Sequence, residues 1–305
     1  MSPDIKVKIG KLVLKTPVVC ASGTFGFGAE LKGLADFASI GAIVTKTITL
    51  APRAGNPPPR IYEAGHGVIN SVGLENPGLE GFLKEKLPLV KKLKTTAIIS
   101  IGGFTDEEYA ALVEALDKED ICAIEANFSC PNLKEKRPIA QDEGHVFALT
   151  KKLRALTKKT LLIKLTPEVS DIALTAQAAA AGGADAITLV NTYFSMAINI
   201  ETQRPFLGNV TGGYSGPAIK PMAVYKVWRA AKAVNIPIIG GGGIETANDA
   251  VEFLLAGAKA VSVGTQNMVE PNCAQTISKG ITDYLKRKKI ASVEELCGKL
   301  NLLQR

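Results

Sequence analysis

The sequence predicts an α/β fold, a closed (β/α)8 barrel with an N-terminal β-hairpin and long active-site loops, on three observations. Eight short apolar runs, several rich in Ile and Val, recur along the 305 residues. Segments of helical period separate most of them. The last two runs, "PIIGGGGI" and "AVSVGTQ", contain glycine turns. Strands buried on both faces lose the apolar/polar alternation of a half-exposed sheet, and strand–helix–strand repetition is the pattern of a parallel sheet. Eight such units suggest closure into a TIM barrel. An open doubly wound sheet is the alternative with the same local pattern.

The elements follow in order. "IKVKIGKLVLK" alternates around a glycine and reads as a hairpin that plugs one barrel end. Strand candidates then fall at 18–23, 42–47, 97–103, 123–129, 161–167, 186–192, 237–244 and 260–266. Thr105 opens "TDEEYAALVEAL" with Glu108 three residues on, a capping box. Ser170 opens "SDIALTAQAAAAGG", whose glycines suit a C-cap, and Thr246 opens "TANDAVEFLLAG". The connections 48–77 and 192–217 are longer than a barrel needs, and long ordered loops often carry function. The length suits one barrel domain over 1–305, or two modest domains.

Composition narrows the function classes. The chain is 46% hydrophobic and 21% charged, with a formal charge of +7. Lysine clusters at 91–94, 151–159 and 286–289 lie in helix-like segments without interleaved aromatics. They read as solvated helix faces, since a nucleic-acid platform would need stacking rings. A basic chain suits anionic small ligands. Cys20, Cys122, Cys130, Cys273 and Cys297 are odd in number and form no CxxC pair, and there are only two histidines. Neither a disulfide framework nor a metal centre is indicated, so the expectation is no metal. The charged N-terminus has no apolar core, and no apolar stretch reaches spanning length, so a soluble, cytoplasmic protein is expected.

Barrels of this kind place chemistry at the carboxyl ends of the strands. Those ends carry Ser22, Lys46 with Thr47, Ser100, Asn127 with Cys130, Lys164, Asn191 with Thr192, Gly242 with Gly243, and Gly264 with Thr265. One lysine at the end of a buried strand can snorkel to the surface. Two at matching positions, Lys46 and Lys164, point to an anion or an electron-rich ring. Glycine turns after the seventh and eighth strands let backbone N–H groups approach a phosphate. No G-x-G-x-x-G follows a strand, so the phosphate is that of a mononucleotide across the barrel mouth. Asn70, Asn127, Asn132 and Asn191 both donate and accept, which suits a ring of alternating N–H and C=O groups. Cys130 in "EANFSCPNLK" then fits a general base or nucleophile, whereas the other four cysteines look structural.

"NFSCPN", "NSVGLENPG", "TGGYSGPAIKP" and "IPIIGGGGI" together resemble the class 1 dihydroorotate dehydrogenases, flavoproteins of pyrimidine biosynthesis, over nearly the whole chain. "GNPPPRI" and "NSVGLENPG" look most like subclass 1B, a catalytic subunit that pairs with an FAD and 2Fe-2S partner subunit and uses NAD. The resemblance implies that Ser22, Lys46, Thr47, Ser100, Asn127, Lys164, Val190, Gly216, Gly242, Gly243, Gly264 and Thr265 bind FMN. It implies that Lys46, Asn70, Ser71, Val72, Gly73, Leu74, Asn127, Asn132, Asn191 and Thr192 hold dihydroorotate. Cys130 would take the C5 proton while the C6 hydride passes to the flavin, and Lys164 would stabilise the charge of the reduced ring. A homodimer, joined by the partner subunit into a heterotetramer, is the implied assembly. After Asn132, "LKEKRPIAQDEGHVF" is charged and nearly glycine-free where relatives are glycine-rich. The alternatives are a fumarate-using class 1A-like enzyme, a dihydropyrimidine dehydrogenase-like flavin domain, a phosphate-binding isomerase or aldolase barrel, and a non-enzymatic flavin-binding subunit.

Overall fold

A computed structural model describes residues 2–129 and 139–302. The hairpin of β1 (Val7–Ile9) and β2 (Leu12–Leu14) buries alternate side chains, Val7, Ile9, Leu12 and Leu14. Then come β3 (Val18–Cys20), β4 (Ala42–Val44), β5 (Ile61–Ala64), β6 (Gly67–Asn70), β7 (Thr96–Ile101), β8 (Ala123–Asn127), β9 (Thr160–Lys164) and β10 (Ala186–Leu189). The chain continues through β11 (Tyr193–Ser195), β12 (Ile198–Asn199), β13 (Arg204–Pro205), β14 (Gly212–Ser215), β15 (Ile238–Gly241) and β16 (Ala260–Val263).

Eight of these strands close into a parallel barrel in the order β3-β4-β7-β8-β9-β10-β15-β16, with β16 pairing back onto β3. They coincide with the eight sequence candidates, and closure excludes the open doubly wound sheet. Their side chains are buried almost without interruption, as in Thr160–Lys164 and Ala123–Asn127. Apolar residues on both faces are held in one continuous core. The hairpin covers the amino-terminal end of the barrel, where the Lys11 N–H donates to the Thr160 hydroxyl at 3.3 Å. Gly10, at φ 57°, lies so close that a Cβ would sit 2.8 Å from Thr160 and 2.9 Å from Asp185.

The main helices span Asp106–Asp117, Glu143–Leu156, Ile172–Ala181, Lys220–Ala231, Ala247–Ala256 and Cys273–Lys288. Thr105 caps the first, accepting from the Glu108 N–H at 3.2 Å. The Glu108 carboxylate accepts from the N–H of Phe104, one residue earlier than a capping box requires. Thr246 and Asp249 form a full capping box. The cap of Ile172–Ala181 is Asp171 and not Ser170, because the Asp171 carboxylate reaches the Ala173 N–H at 3.1 Å. The first strand is followed by two single 3₁₀ turns, Ala29–Leu31 and Phe37–Ser39, so the expected eightfold alternation of strand and helix lacks its first helix.

The two long connections are not plain loops. They supply β5 and β6 on one side and β11 and β14 on the other, joined in a four-stranded antiparallel sheet of order β11-β14-β6-β5. Gly213 pairs with Asn70 and Tyr214 with Ile69, which locks the two excursions together over the barrel mouth. The ring of Tyr62 stacks on Phe206 at 4.1 Å. Among the described residues no helix is long and apolar enough to cross a membrane.

Candidate active site

A cavity of about 380 Å³ lies between the carboxyl ends of the barrel strands and the four-stranded sheet. Its barrel side is built from Asn127, Lys164, Thr188, Gly241 and Ser262, the last or next-to-last residues of five strands. Its other walls come from segments 21–24, 46–47 and 70–74, and from Phe194, Gly212 and Gly213 of the sheet.

Backbone anchors fix the two lysines. The Lys46 N–H donates to the Gly26 carbonyl at 2.8 Å, and the Lys164 carbonyl accepts from the Phe128 N–H at 3.1 Å. Lys164 is buried, Lys46 partly so, and both line the cavity. Among the described residues neither ammonium has a hydrogen-bond or ion-pair partner. An ammonium held out of water without a hydrogen-bond acceptor is costly, so the pair marks a place for an electron-rich ligand.

The amides are oriented by one hydroxyl. Ser129 donates to Asn127 Oδ1 at 2.6 Å, and Asn191 Nδ2 donates to Ser129 Oγ at 2.9 Å. Buried Tyr109 in turn donates to the Asn127 carbonyl at 2.6 Å. The remaining donor and acceptor positions of the two amides are left for a ligand. Across the mouth, Ser71 Oγ accepts from Asn56 at 2.9 Å and from Asn209 at 3.1 Å, while Asn70 donates to the Gly213 carbonyl at 3.4 Å. Asn76 holds the 70–74 segment by donating to the Leu74 carbonyl at 2.7 Å. Gly73 needs its φ of 77° there, since a Cβ would lie 2.6 Å from Asn56.

The glycine turns lie beside this polar floor. Gly242 and Gly243 have φ values of 127° and 80°, and neither donates its N–H to another group among the described residues. Thr265 opens the short helix Thr265–Val269 and donates to the Ser215 hydroxyl at 3.0 Å. Exposed amides at glycine turns are anion-binding concavities.

Ser22, Lys46, Thr47, Asn70, Ser71, Val72, Gly73, Leu74, Asn127, Lys164, Val190, Asn191, Thr192, Gly216, Gly242, Gly243, Gly264 and Thr265 are all brought to this one cavity. Ser100 is not among its lining. It is fully buried behind Thr47, 2.9 Å from that hydroxyl, and pairs with Glu125 below the mouth. Cys130 and Asn132 lie outside the described residues. Sequence reasoning missed Thr188, Ser129 and Asn209. It also missed Glu125, although a carboxylate inside the apolar run "AIEAN" was a legible signal.

Known proteins were compared with the chain. The dihydroorotate dehydrogenase family profile matches residues 4–285. The catalytic subunit of dihydroorotate dehydrogenase B (NAD(+)) from Thermoanaerobacter pseudethanolicus is 46% identical over 300 residues, covering 98% of this chain and 99% of that protein. Its counterpart from Caldicellulosiruptor saccharolyticus is 48% identical over 300 residues, covering 98% and 100%. Among solved structures, a DHODH from Eimeria tenella in complex with ferulenol superposes with a TM-score of 0.81 at 25% identity, covering 97% of this chain and 88% of that one. The barrel, the cavity at its carboxyl end and these likenesses agree: the chain belongs to the dihydroorotate dehydrogenase family.

Proposed function

We propose that this protein is the FMN-containing catalytic subunit of a B-type dihydroorotate dehydrogenase. It oxidises dihydroorotate to orotate in pyrimidine biosynthesis, and the electrons leave for NAD through a partner subunit that carries FAD and a 2Fe-2S cluster. The observation that carries this reading is the pair of ammoniums, Lys46 and Lys164, which share one cavity with glycine-turn amides and, like them, make no hydrogen bond among the described residues. The donor set fits FMN. Gly242, Gly243, Gly264 and Thr265 would hold the phosphate through backbone N–H groups. Ser22, Thr47, Asn127, Lys164, Val190 and Gly216 would hold the ring system.

Bound FMN supplies the acceptor for the hydride that leaves dihydroorotate C6. The chain does the rest. Asn127 and Asn191, locked by Ser129, orient the pyrimidine ring with Asn70 and Asn132, so that the two breaking C–H bonds are aligned. Lys46 and the N–H groups of 72–74 meet the substrate carboxylate and ring carbonyls, with Ser71, whose own N–H is spent on the Arg60 carbonyl at 2.8 Å, beside them. Cys130, next in sequence to Ser129, takes the C5 proton. Lys164 places positive charge beside the ring edge where negative charge accumulates. The protein is read as one FMN-binding domain, cytoplasmic, dimeric, and joined by the partner subunit into a heterotetramer.

The purified protein is expected to be yellow and to reduce NAD with dihydroorotate only when the partner subunit is added. A colourless protein that cannot be reconstituted with FMN would sink the flavin reading. NAD reduction at full rate without the partner would sink the two-subunit reading.

A further inference from the structure

Across the eight barrel strands there is one acid, Glu125 on β8, and one base, Lys164 on β9. Glu125 is 1% exposed and does not line the cavity. It shares a strand face with Asn127, two residues on, whose partner in register is Lys164. Its Oε2 accepts from the Thr188 hydroxyl at 2.8 Å, and Thr188 is part of the cavity floor. Its Oε1 has no hydrogen-bond partner among the described residues. A buried carboxylate with one oxygen orphaned has a structural cost and, in the reaction as derived above, no function.

The charges suggest one. An ionised Glu125 balances the ammonium of Lys164. When a bound ring then gains an electron pair, its negative charge and that of Glu125 compete for a single cation. Taking the flavin reading above as its basis, we propose that Glu125 is a redox-linked proton site: ionised while the flavin is oxidised, it takes up one proton through the Thr188 hydroxyl when the flavin gains two electrons. The electron pair and one proton enter the ring as the substrate's hydride. The further proton comes from solvent through the cavity. Thr188 passes its own proton to Glu125 and accepts that one in exchange, so no other bond changes.

The surroundings favour this titration. Burial pushes the Glu125 carboxyl up from its ordinary value, opposed by the charge of Lys164 and the hydrogen bond from Thr188. Negative charge on the ring pushes it further up. Of the flanking strands, β7 brings Ser100 and no charge and β9 brings Lys164, while Thr188 comes from β10, one strand further on. The helices Asp106–Asp117 and Glu143–Leu156 bury only apolar side chains, Tyr109 and Thr150. Lys46 stands beyond the end of β4 at the mouth. The one other ionisable group in the strands, the Cys20 thiol, is kept neutral by burial.

The test is the midpoint potential of the bound flavin, followed by spectroelectrochemistry over roughly pH 5 to 9. One proton per electron pair changes the reduction equilibrium tenfold per pH unit, about 30 mV for a two-electron couple, and a second proton doubles that slope. The wild-type protein is expected to show a pH window with the doubled slope. Glu125→Gln is expected to hold the single-proton slope throughout, and Thr188→Val, which removes the hydrogen bond favouring the charged form, to move the window to higher pH. A wild-type slope that stays at one proton across the range overturns the proposal whether or not Glu125→Gln folds. So does a Glu125→Gln profile that keeps the wild-type window. Wild-type protein that binds no flavin overturns the flavin reading and this inference together. A flavin that binds and is bleached by dihydroorotate, yet shows a uniform slope, overturns only the role of Glu125.

Discussion

Asn127 and Asn191 stand at the ends of different barrel strands and are joined through one hydroxyl, that of Ser129, at 2.6 and 2.9 Å. The link turns two free amides into one oriented donor–acceptor pair. Ser129→Ala removes one hydrogen bond from each amide, about 0.5–1.5 kcal/mol apiece, and leaves them only the longer bonds to the Ser129 N–H and carbonyl at 3.3 and 3.2 Å. A roughly tenfold fall in kcat/KM for dihydroorotate is expected, about 1.4 kcal/mol of transition-state stabilisation, with the flavin content unchanged. Unaltered kinetics in that variant would show that the amides orient themselves without Ser129.

The Lys164 ammonium makes no hydrogen bond or salt bridge among the described residues, and within the protein its charge acts on the buried carboxyl of Glu125. Lys164→Ala removes one buried charge and pushes the Glu125 carboxyl further toward its neutral form, and is expected to leave the thermal midpoint nearly unchanged. It is also expected to weaken FMN by about 10- to 100-fold, the worth of a charge-assisted hydrogen bond of ~1.5–3 kcal/mol. Fluorescence titration of the apoprotein with FMN reads the affinity. Equal affinity in the variant would remove Lys164 from the flavin site.

Gly242 combines a φ of 127° with a tight surround. A Cβ there would lie 2.8 Å from Ala223 and 3.1 Å from Val190. Gly242→Ala is expected to destabilise the protein by about 1–3 kcal/mol and to displace the amide intended for phosphate, so that flavin is lost on gel filtration. Denaturant unfolding and the flavin-to-protein absorbance ratio measure the two effects. A stable variant with full flavin would contradict the role given to this turn.

Far from the mouth, Arg154 joins the helix Glu143–Leu156 to the amino-terminal ends of β9 and β10. It donates to Asp185 at 2.6 Å and to the Lys159 carbonyl at 2.9 Å, and Asp185 also accepts from the Leu161 N–H at 2.8 Å. Arg154→Ala is expected to cost about 1–3 kcal/mol of stability and to leave kcat/KM for dihydroorotate at its wild-type value, because this face of the barrel bears on folding and not on chemistry. A loss of activity at full stability would contradict that division.

The barrel was legible because its strands are unbroken apolar runs, as in "LLIKL", and because Lys46 and Lys164 have no place in such runs unless something binds them. The runs were read too long at their carboxyl ends, since ladder pairing stops at Val44, Leu189 and Val263 while apolar or small residues continue. The sheet over the mouth was not legible. Its strands are glycine-rich, as in Gly212–Ser215, and pair across sequence distances that no local pattern reports, as Gly213 does with Asn70. Ser100 was placed at the mouth because it lies near the end of its run. The barrel stagger sets it opposite Glu125, one layer down, where its hydroxyl supports Thr47. Glu125 lies inside its run and not at the end, and its meaning depends on Thr188 and Lys164, contributed by two other strands.

Whether dihydroorotate reduces the flavin proposed for this cavity decides the function. Anaerobic titration of the FMN-loaded protein with dihydroorotate, following the flavin absorbance and the orotate formed, tests it most directly. Full bleaching with one orotate released per flavin is expected, with Cys130→Ala reaching the same end point far more slowly. A flavin that stays oxidised under excess dihydroorotate, with no orotate formed, would contradict it.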